Sequence, residues 1–324
     1  LAGPAFVSSG IGKLFFTGST ETGKALAELA APRLLPVNLE LGGKDAMIVL
    51  RDANLRRAAA GAVWAGISNC GQSCAGVERI YVERPVYDEF VGLLRARVSA
   101  LRQGPDGDFD ADFGSLTTAE QKAIVEGQVK EALERGARMT ASSVPAASPG
   151  GGLYHPALVV ETAGDDGDLM RRETFGPVLA VSPVEDADEA VRRANDSAYG
   201  LTASIWTADA GRARKIASRL EVGAVTINDH LLSHGMAETP WGGFKESGIG
   251  RSHGEAGFRE MTQEKVVISE LFPMMRSNMW WHPHSRRVYD GMKGALDLVF
   301  GGGARRLRGG VRLVRLFAER FFAP

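Results

Sequence analysis

The feature that most constrains the fold of this chain is an alternation. Short runs of apolar, often β-branched or aromatic residues take turns with longer stretches of helical character. Residues 13–18, 36–41, 47–50, 79–82, 202–207 and 223–228 read as strands, and 265–269 as a late one. Residues 20–31, 54–68, 86–100, 118–135, 186–194 and 209–220 read as helices. In 86–100, Val86, Phe90, Leu93, Leu94 and Val98 fall at helical spacing, and Thr117 or Thr118 stands where the next helix needs a cap. Strands alternating with helices of this length predict an α/β architecture. Residues 140–152 and the glycine-rich 240–257 read as loops.

Composition narrows the function classes. There are 38 Lys and Arg against 39 Asp and Glu, a formal net charge of -1, so nothing points to nucleic acid or a polyanion as partner. The only cysteines are Cys70 and Cys74, which excludes a disulfide-stapled scaffold and suits a reducing, cytoplasmic setting where a thiol stays free. Two cysteines without a nearby histidine do not make a structural zinc site, and no metal is expected. No apolar run reaches the roughly 18 residues that a spanning helix needs.

Three short segments carry residues suited to chemistry. Cys74 follows a helix in Asn69-Cys70-Gly71-Gln72-Ser73-Cys74-Ala75-Gly76, among small residues. A loop thiol near backbone N–H groups can have a lowered pKa and attack a carbonyl, and the same N–H groups can hold the oxyanion that forms. Glu40, in Leu39-Glu40-Leu41-Gly42-Gly43-Lys44, sits between apolar residues, where burial would raise its pKa toward that of a general base. Phe16-Thr17-Gly18-Ser19-Thr20-Glu21-Thr22-Gly23 leads a strand through a glycine turn into a helix N-terminus, a place for a phosphate. Taken singly, each has an ordinary alternative: a buried structural cysteine, an exposed strand-end acid, a capped helix.

Jointly and in this order, the three segments resemble the aldehyde dehydrogenase superfamily, with the thiol 34 residues after the glutamate. Glu173-Thr174-Phe175-Gly176-Pro177-Val178, Asn195 with Tyr199-Gly200-Leu201, Asn228, and the run from Pro240 to Arg251 continue the likeness, which covers about residues 11–270. It implies an aldehyde dehydrogenase-like α/β fold and oxidation of a small-molecule aldehyde to a carboxylic acid with NAD or NADP. Cys74 would be the nucleophile, passing through a thiohemiacetal and a thioester, and its backbone N–H one oxyanion donor. Glu40 would activate the hydrolytic water, which favours hydrolysis over transfer to coenzyme A. Gly18, Ser19 and Gly23 would lie against the cofactor pyrophosphate, with Leu41 also in the cofactor site. Glu173 would hold the nicotinamide ribose, and Phe175 would pack near the ring. Against this stand a surface ion pair of Glu173 with Arg171 or Arg172 and plain core packing of Phe175. Cys70 reads as a redox guard or, more ordinarily, a small buried hydrophobe. His230 and His234 have the spacing of a metal pair without a third ligand, and with Trp241 they would shape substrate access or lie on a surface loop.

The likeness implies a partial dinucleotide-binding domain beside a complete α/β catalytic domain. The expected division is residues 1–41 for the remnant of the cofactor domain, 42–235 for the cysteine domain and 236–270 for the return to the cofactor domain and an oligomerisation strand. Residues 271–324 would be a C-terminal extension. Because the chain starts at Leu1 with few residues before Phe-Thr-Gly-Ser, it reads as N-terminally truncated, and a non-catalytic fragment or scaffold subunit without a complete cofactor site is the alternative function. A cofactor-independent esterase through Cys74 and Glu40 is a narrower one. Family resemblance implies a homo-oligomer. The extension contains Met279-Trp280-Trp281-His282-Pro283-His284 and then Leu307, Val311, Val314, Phe317 and Phe321 at near-helical spacing between arginines. A basic amphipathic helix of this kind can make peripheral membrane contact, or pack on its own or a partner subunit.

Overall fold

A computed structural model describes residues 2–105, 107, 109–144, 152–271, 273–274, 277–278 and 280–322, the last two by backbone alone. Most of the expected 140–152 loop, residue 279 and the Phe321 side chain lie outside the described residues. The chain divides into two compact units, Leu1–Gln263 and Glu264–Pro324.

The first unit is α/β. Its main sheet has seven strands in the order Ala224–Ile227, Thr202–Trp206, Asp45–Val49, Val77–Glu83, Val178–Val184, Leu158–Glu161 and Arg138–Ser142. All neighbours run parallel except the last pair. Asp45–Val49, Val77–Glu83 and Thr202–Trp206 are buried at every residue, as central strands covered by helices on both faces must be. The Leu55–Ile67 helix crosses from the first of these to the second and presents Ala58, Ala59, Ala62 and Ala65 inward. Small residues let it sit close: a Cβ on Gly66 would lie 2.8 Å from the Val77 carbonyl oxygen. Side-chain caps set the helix starts at Asn54, Thr118, Asp186 and Asp209.

A smaller sheet brings the chemistry-bearing ends together. Leu14–Thr17 pairs in parallel with Val37–Glu40, and Gly248–Ile249 pairs antiparallel on the other side of that strand. The 240–257 stretch is therefore more than a loop. It contributes two short strands, Phe244–Lys245 and Gly248–Ile249, and the start of the Gly254–Glu260 helix. Three expectations need correction. Residues 265–269 form no strand; Val266, Val267 and Ile268 are exposed, and no described strand pairs with them to close a ladder. Arg138–Ser142, Leu158–Glu161 and Val178–Val184 are strands of the main sheet that the periodicity did not reveal, the first of them overlapping the start of the expected 140–152 loop. The strand at Leu14–Thr17 is only half buried, with Phe15 exposed.

The second unit is a helical hairpin, Arg286–Phe300 and Gly303–Phe322. The later helix matches the expectation from the arginine-rich run, whereas the earlier one was not anticipated. Ser285 caps the first helix by accepting from the Val288 N–H. Glycines make the seam: a Cβ on Gly294 would sit 2.6 Å from the Gly309 carbonyl oxygen, and one on Gly309 would sit 2.7 Å from that of Gly294. Val288 and Leu316 are buried, and the buried Asp297 carboxylate accepts from the Arg305 guanidinium at 2.7 Å.

Candidate active site

Glu40 ends its strand, and the Leu41 N–H donates to the Ser247 carbonyl, which pins the following Gly42-Gly43 turn. Cys74 lies on the turn between Ser68–Gly71 and the Val77–Glu83 strand. The chain enters that turn through three successive left-handed residues, Asn69, Cys70 and Gly71, at φ 53°, 58° and 71°. At Gly71 no side chain fits, because a Cβ would lie 2.2 Å from the Gly176 carbonyl oxygen. The Cys74 turn and the Glu173–Phe175 segment are thus locked edge to edge.

A cavity of about 520 Å³ opens where these pieces meet. Gly18, Ser19, Glu40, Leu41, Cys74, Glu173 and Phe175 all line it, with Gln121 and His234. Gly23 does not line it; a Cβ there would strike the Leu41 side chain at 2.5 Å, so Gly23 serves helix packing. Ser19 caps the Thr20–Ala30 helix by accepting from the Thr22 N–H at 3.2 Å, so the helix N-terminus faces this space. A second cavity of about 280 Å³ is lined by Glu40, Cys74, His234, Trp241, Ser252 and His253 among others. Cys74, Glu40 and His234 border both spaces.

The electrostatics differ from residue to residue. Ser252 donates its hydroxyl to Glu40 Oε1 at 2.8 Å, while Glu40 Oε2 is buried without a partner. Burial raises the Glu40 pKa; the Ser252 hydrogen bond and the Arg251 charge oppose the rise. The Cys74 thiol is pushed up to about 11, chiefly by burial and then by the charges of Asp45, Glu173 and Glu40. That corrects the expectation of a lowered thiol pKa: burial and then the charges of three nearby carboxyl groups act against ionisation, and its own backbone N–H is a weak counterweight. At rest it is a thiol. Cys70 is fully buried, with its thiol raised to about 12 by burial, as suits a small hydrophobe.

Glu173 accepts from the Gly43 N–H at 3.0 Å. Its approach requires a glycine at 42, where a Cβ would meet Glu173 Oε2 at 2.4 Å. Burial, helped by the Glu78 charge, lifts its pKa to about 7. Arg171 and Arg172 pair instead with Asp196 and Asp168, so a surface ion pair does not account for Glu173. Phe175 adopts φ 47°, and its N–H and that of Thr174 donate to Glu78.

Residues not anticipated hold this arrangement. The buried Lys44 ammonium donates to Glu78 and to the Thr174 hydroxyl. Thr174 donates in turn to Gln128, while Gln128 and Gln121 donate to the backbone of the same segment. A lysine and a glutamate inside apolar strand contexts were the only sequence signal. His230 is buried, hydrogen-bonded through Nε2 to the Ala75 carbonyl at 3.0 Å, and burial depresses its pKa to about 4. It braces the turn behind Cys74. His234 stands edge-on to Trp241, ring centroids 5.0 Å apart, and the two border the smaller cavity. Asn195 and Asn228 tie loops through paired backbone hydrogen bonds.

Comparison with known proteins adds a second line of observation. The Aldehyde dehydrogenase family model matches residues 2–267. A 4,4'-diapolycopene aldehyde oxidase of a Methylomonas species is 38% identical over 310 residues, 96% of this chain and 57% of that protein. A Mycolicibacterium smegmatis protein, whose name assigns it to NADP+-linked succinate-semialdehyde dehydrogenases, is 42% identical over 257 residues, 79% of this chain and 50% of its own. Among solved structures, the NAD+ complex of an aldehyde dehydrogenase from Bacillus cereus superposes with a TM-score of 0.77 at 35% identity, covering 81% of this chain and 53% of that one. The chain spans about half the length of the curated relatives it matches.

Proposed function

This chain belongs to the aldehyde dehydrogenase family, and we propose that it serves NAD(P)-linked oxidation of an aldehyde to a carboxylic acid, with Cys74 as nucleophile and Glu40 as base. The observation that carries the reading is the cavity that Cys74, Glu40 and Glu173 line together.

The chemistry follows from the surroundings of each group. With its pKa near 11, the Cys74 thiol must lose its proton as it attacks the aldehyde carbon. Glu40, desolvated and held at one oxygen by Ser252, is the base within the same space. Attack gives a thiohemiacetal whose oxyanion the Cys74 backbone N–H can meet. A nicotinamide cofactor would supply the hydride acceptor, and with the hydride gone from that carbon Cys74 would carry the acyl group as a thioester. Glu40 releases the proton it took from the thiol to solvent and then takes one from water as the water attacks the thioester carbonyl; the C–S bond breaks, the acid leaves and Glu40 returns its proton to the Cys74 thiolate.

The residues present fit one end of such a cofactor. The Gly42 cradle keeps the Glu173 carboxylate free of side-chain crowding, where it can accept from ribose hydroxyls. Gly18 and Ser19 place a helix N-terminus on the same cavity, suited to a phosphate. The relatives' names and complexes include both NAD+ and NADP+; the proposal is for either.

On substrate, one relative stands apart. A match of 310 residues leaves only 14 of 324 outside it, so it must run well into the C-terminal hairpin beyond residue 267. That relative is named for a 4,4'-diapolycopene aldehyde. We extend the proposal to an apolar aldehyde, to self-association of the chain, and to a cytoplasmic protein in peripheral contact with a membrane. The test is nicotinamide reduction with a series of aldehydes of rising chain length. The reading expects turnover that Cys74→Ser removes and that favours the longer aldehydes. Turnover unchanged in that variant would show that another group is the nucleophile. A scaffold without cofactor binding predicts no change in protein fluorescence on cofactor titration.

A further inference from the structure

The helical hairpin is arranged opposite to an ordinary water-soluble helix pair. Its seam is made of small residues, Gly291, Gly294 and Gly309, so close that added Cβ atoms would clash. Val288 and Leu316 are buried there too, but most of the large apolar residues that usually fill such a seam lie outside. On the Gly303–Phe322 helix, Leu307, Val311 and Val314 are 76%, 53% and 67% exposed. With Ala318 they fall on one face, turned away from the buried Gly309 and Leu316. The Arg286–Phe300 helix has its own outward set, with Leu296, Val299 and Phe300 exposed.

The charges are arranged to match. Residues 264–324 hold eleven Lys and Arg against five Asp and Glu, while residues 1–263 hold 27 against 34. Asp297 occupies Arg305 and Arg312, and Glu319 occupies Arg287. Among the described residues, Arg306, Arg308 and Arg315 have no carboxylate within ion-pair distance. Arg306 and Arg315 border the same surface depression as Leu307, Val311 and Val314. Trp280 and Trp281 are each 56% exposed, and Arg320 ties their segment to the hairpin by donating to the Trp281 and Pro283 carbonyls. Half-exposed indoles are the side chains that settle at a lipid–water boundary.

We propose that the Gly303–Phe322 face bearing Leu307, Val311 and Val314 docks on an anionic lipid bilayer, with Arg306, Arg308 and Arg315 on the headgroups. A helix with an apolar face rimmed by arginines lies in the plane of such an interface. A second copy of this chain fits the face less well, since two hairpins each carrying six excess positive charges repel. A nucleic acid would answer the arginines and leave the apolar stripe in water. The inference deepens the aldehyde reading by naming where an apolar substrate is met, and rests on it for that alone.

The test is flotation of the full chain with vesicles of phosphatidylcholine, or of phosphatidylcholine mixed with phosphatidylglycerol, at low and high salt. The chain is expected to float with the anionic vesicles. Joint replacement Leu307→Glu, Val311→Glu and Val314→Glu should cut the bound fraction at least tenfold. Arg306→Gln, Arg308→Gln and Arg315→Gln together should weaken binding and flatten its salt dependence. Quenching of tryptophan by brominated lipid, lost in Trp280→Phe with Trp281→Phe, gives a readout that does not depend on the glutamate variant folding. No flotation with anionic vesicles overturns the proposal, as does flotation unchanged by the glutamates. So does a face whose glutamate variant turns an oligomer into monomers, or that binds an oligonucleotide while vesicles fail. None of these results touches the Cys74 chemistry, which aldehyde turnover tests separately.

Discussion

The two compact units differ in what fills their interiors. In Leu1–Gln263, charge goes inside: Lys44, Asp45, Glu78, Arg79 and Glu83 are buried, each with hydrogen-bond partners, and the apolar core wraps them. In Glu264–Pro324 the seam is glycine with Val288, Leu316 and one buried acid, Asp297, and most large apolar residues face out. Buried charge is costly and is kept only where partners are complete. In the first unit those partners fix the segments that line the cavity. In the second, the apolar exterior has nothing of its own chain's hairpin to cover it, and its arginines favour an anionic surface.

The contrast predicts effects of very different size. The largest is chemical. Cys74→Ala should lower aldehyde oxidation by at least about a thousandfold in steady-state assays, because an absent nucleophile leaves only binding and polarisation. Folding should be unaffected, since the site costs rather than stabilises. Next comes Lys44→Met. It leaves the buried Glu78 carboxylate without its counter-charge, held only by the Thr174 and Phe175 N–H groups, and should destabilise the first unit by roughly 3–5 kcal/mol in denaturant unfolding. Arg306→Gln, in the hairpin, should change stability by no more than about 0.5 kcal/mol. Equal effects of these two substitutions would erase the distinction.

The third prediction is a pH dependence. Glu173 has a folded pKa near 7 against an ordinary 4.5, so the folded state holds a proton that the unfolded state releases. Its contribution to stability is therefore complete below about 4.5 and is lost as pH rises through 7. Thermal unfolding should show the chain losing on the order of 2 kcal/mol between those limits relative to Glu173→Gln. Parallel curves for the two proteins would place Glu173 in a more solvated setting. The remaining effect is at the hairpin seam. Gly309→Val should cost about 1–3 kcal/mol by overpacking, seen as faster amide exchange confined to residues 286–322. Loss of protection across the first unit as well would mean the two do not respond independently.

How much of this was legible in the sequence follows from range. Cys74, Glu40, Glu173 and Phe175 could be found because their segments keep a fixed order and fixed local glycines, and the structure brings them to one cavity. The network behind them could not. Lys44 meets Glu78 across 34 residues and Thr174 across 130, and no local pattern announces either. Gly23 belongs to the readable motif yet packs on Leu41 rather than lining the cavity, since the motif says nothing of which glycine faces inward. Val178–Val184 escaped because Pro183 interrupts it, although at the strand's end, opposite Val82, the proline is tolerated. Likewise Gly291 and Gly294 weakened the helical signal of Arg286–Phe300, and only the close seam explains them. The raised Cys74 pKa depends on Asp45, Glu173 and Glu40 converging in space, which spacing along the chain does not reveal.

The most direct test of the central claim is mass spectrometry of the Glu40→Gln variant after brief exposure to an activated acetate ester, which needs no cofactor. Without Glu40 only the small thiolate fraction of Cys74 reacts, so an acetyl thioester should form slowly on the peptide containing Cys74 and then persist, whereas intact Glu40 should form it faster and clear it. Ester cleavage that leaves Cys74 unmodified, or an acetyl group carried by any other side chain, would contradict the account.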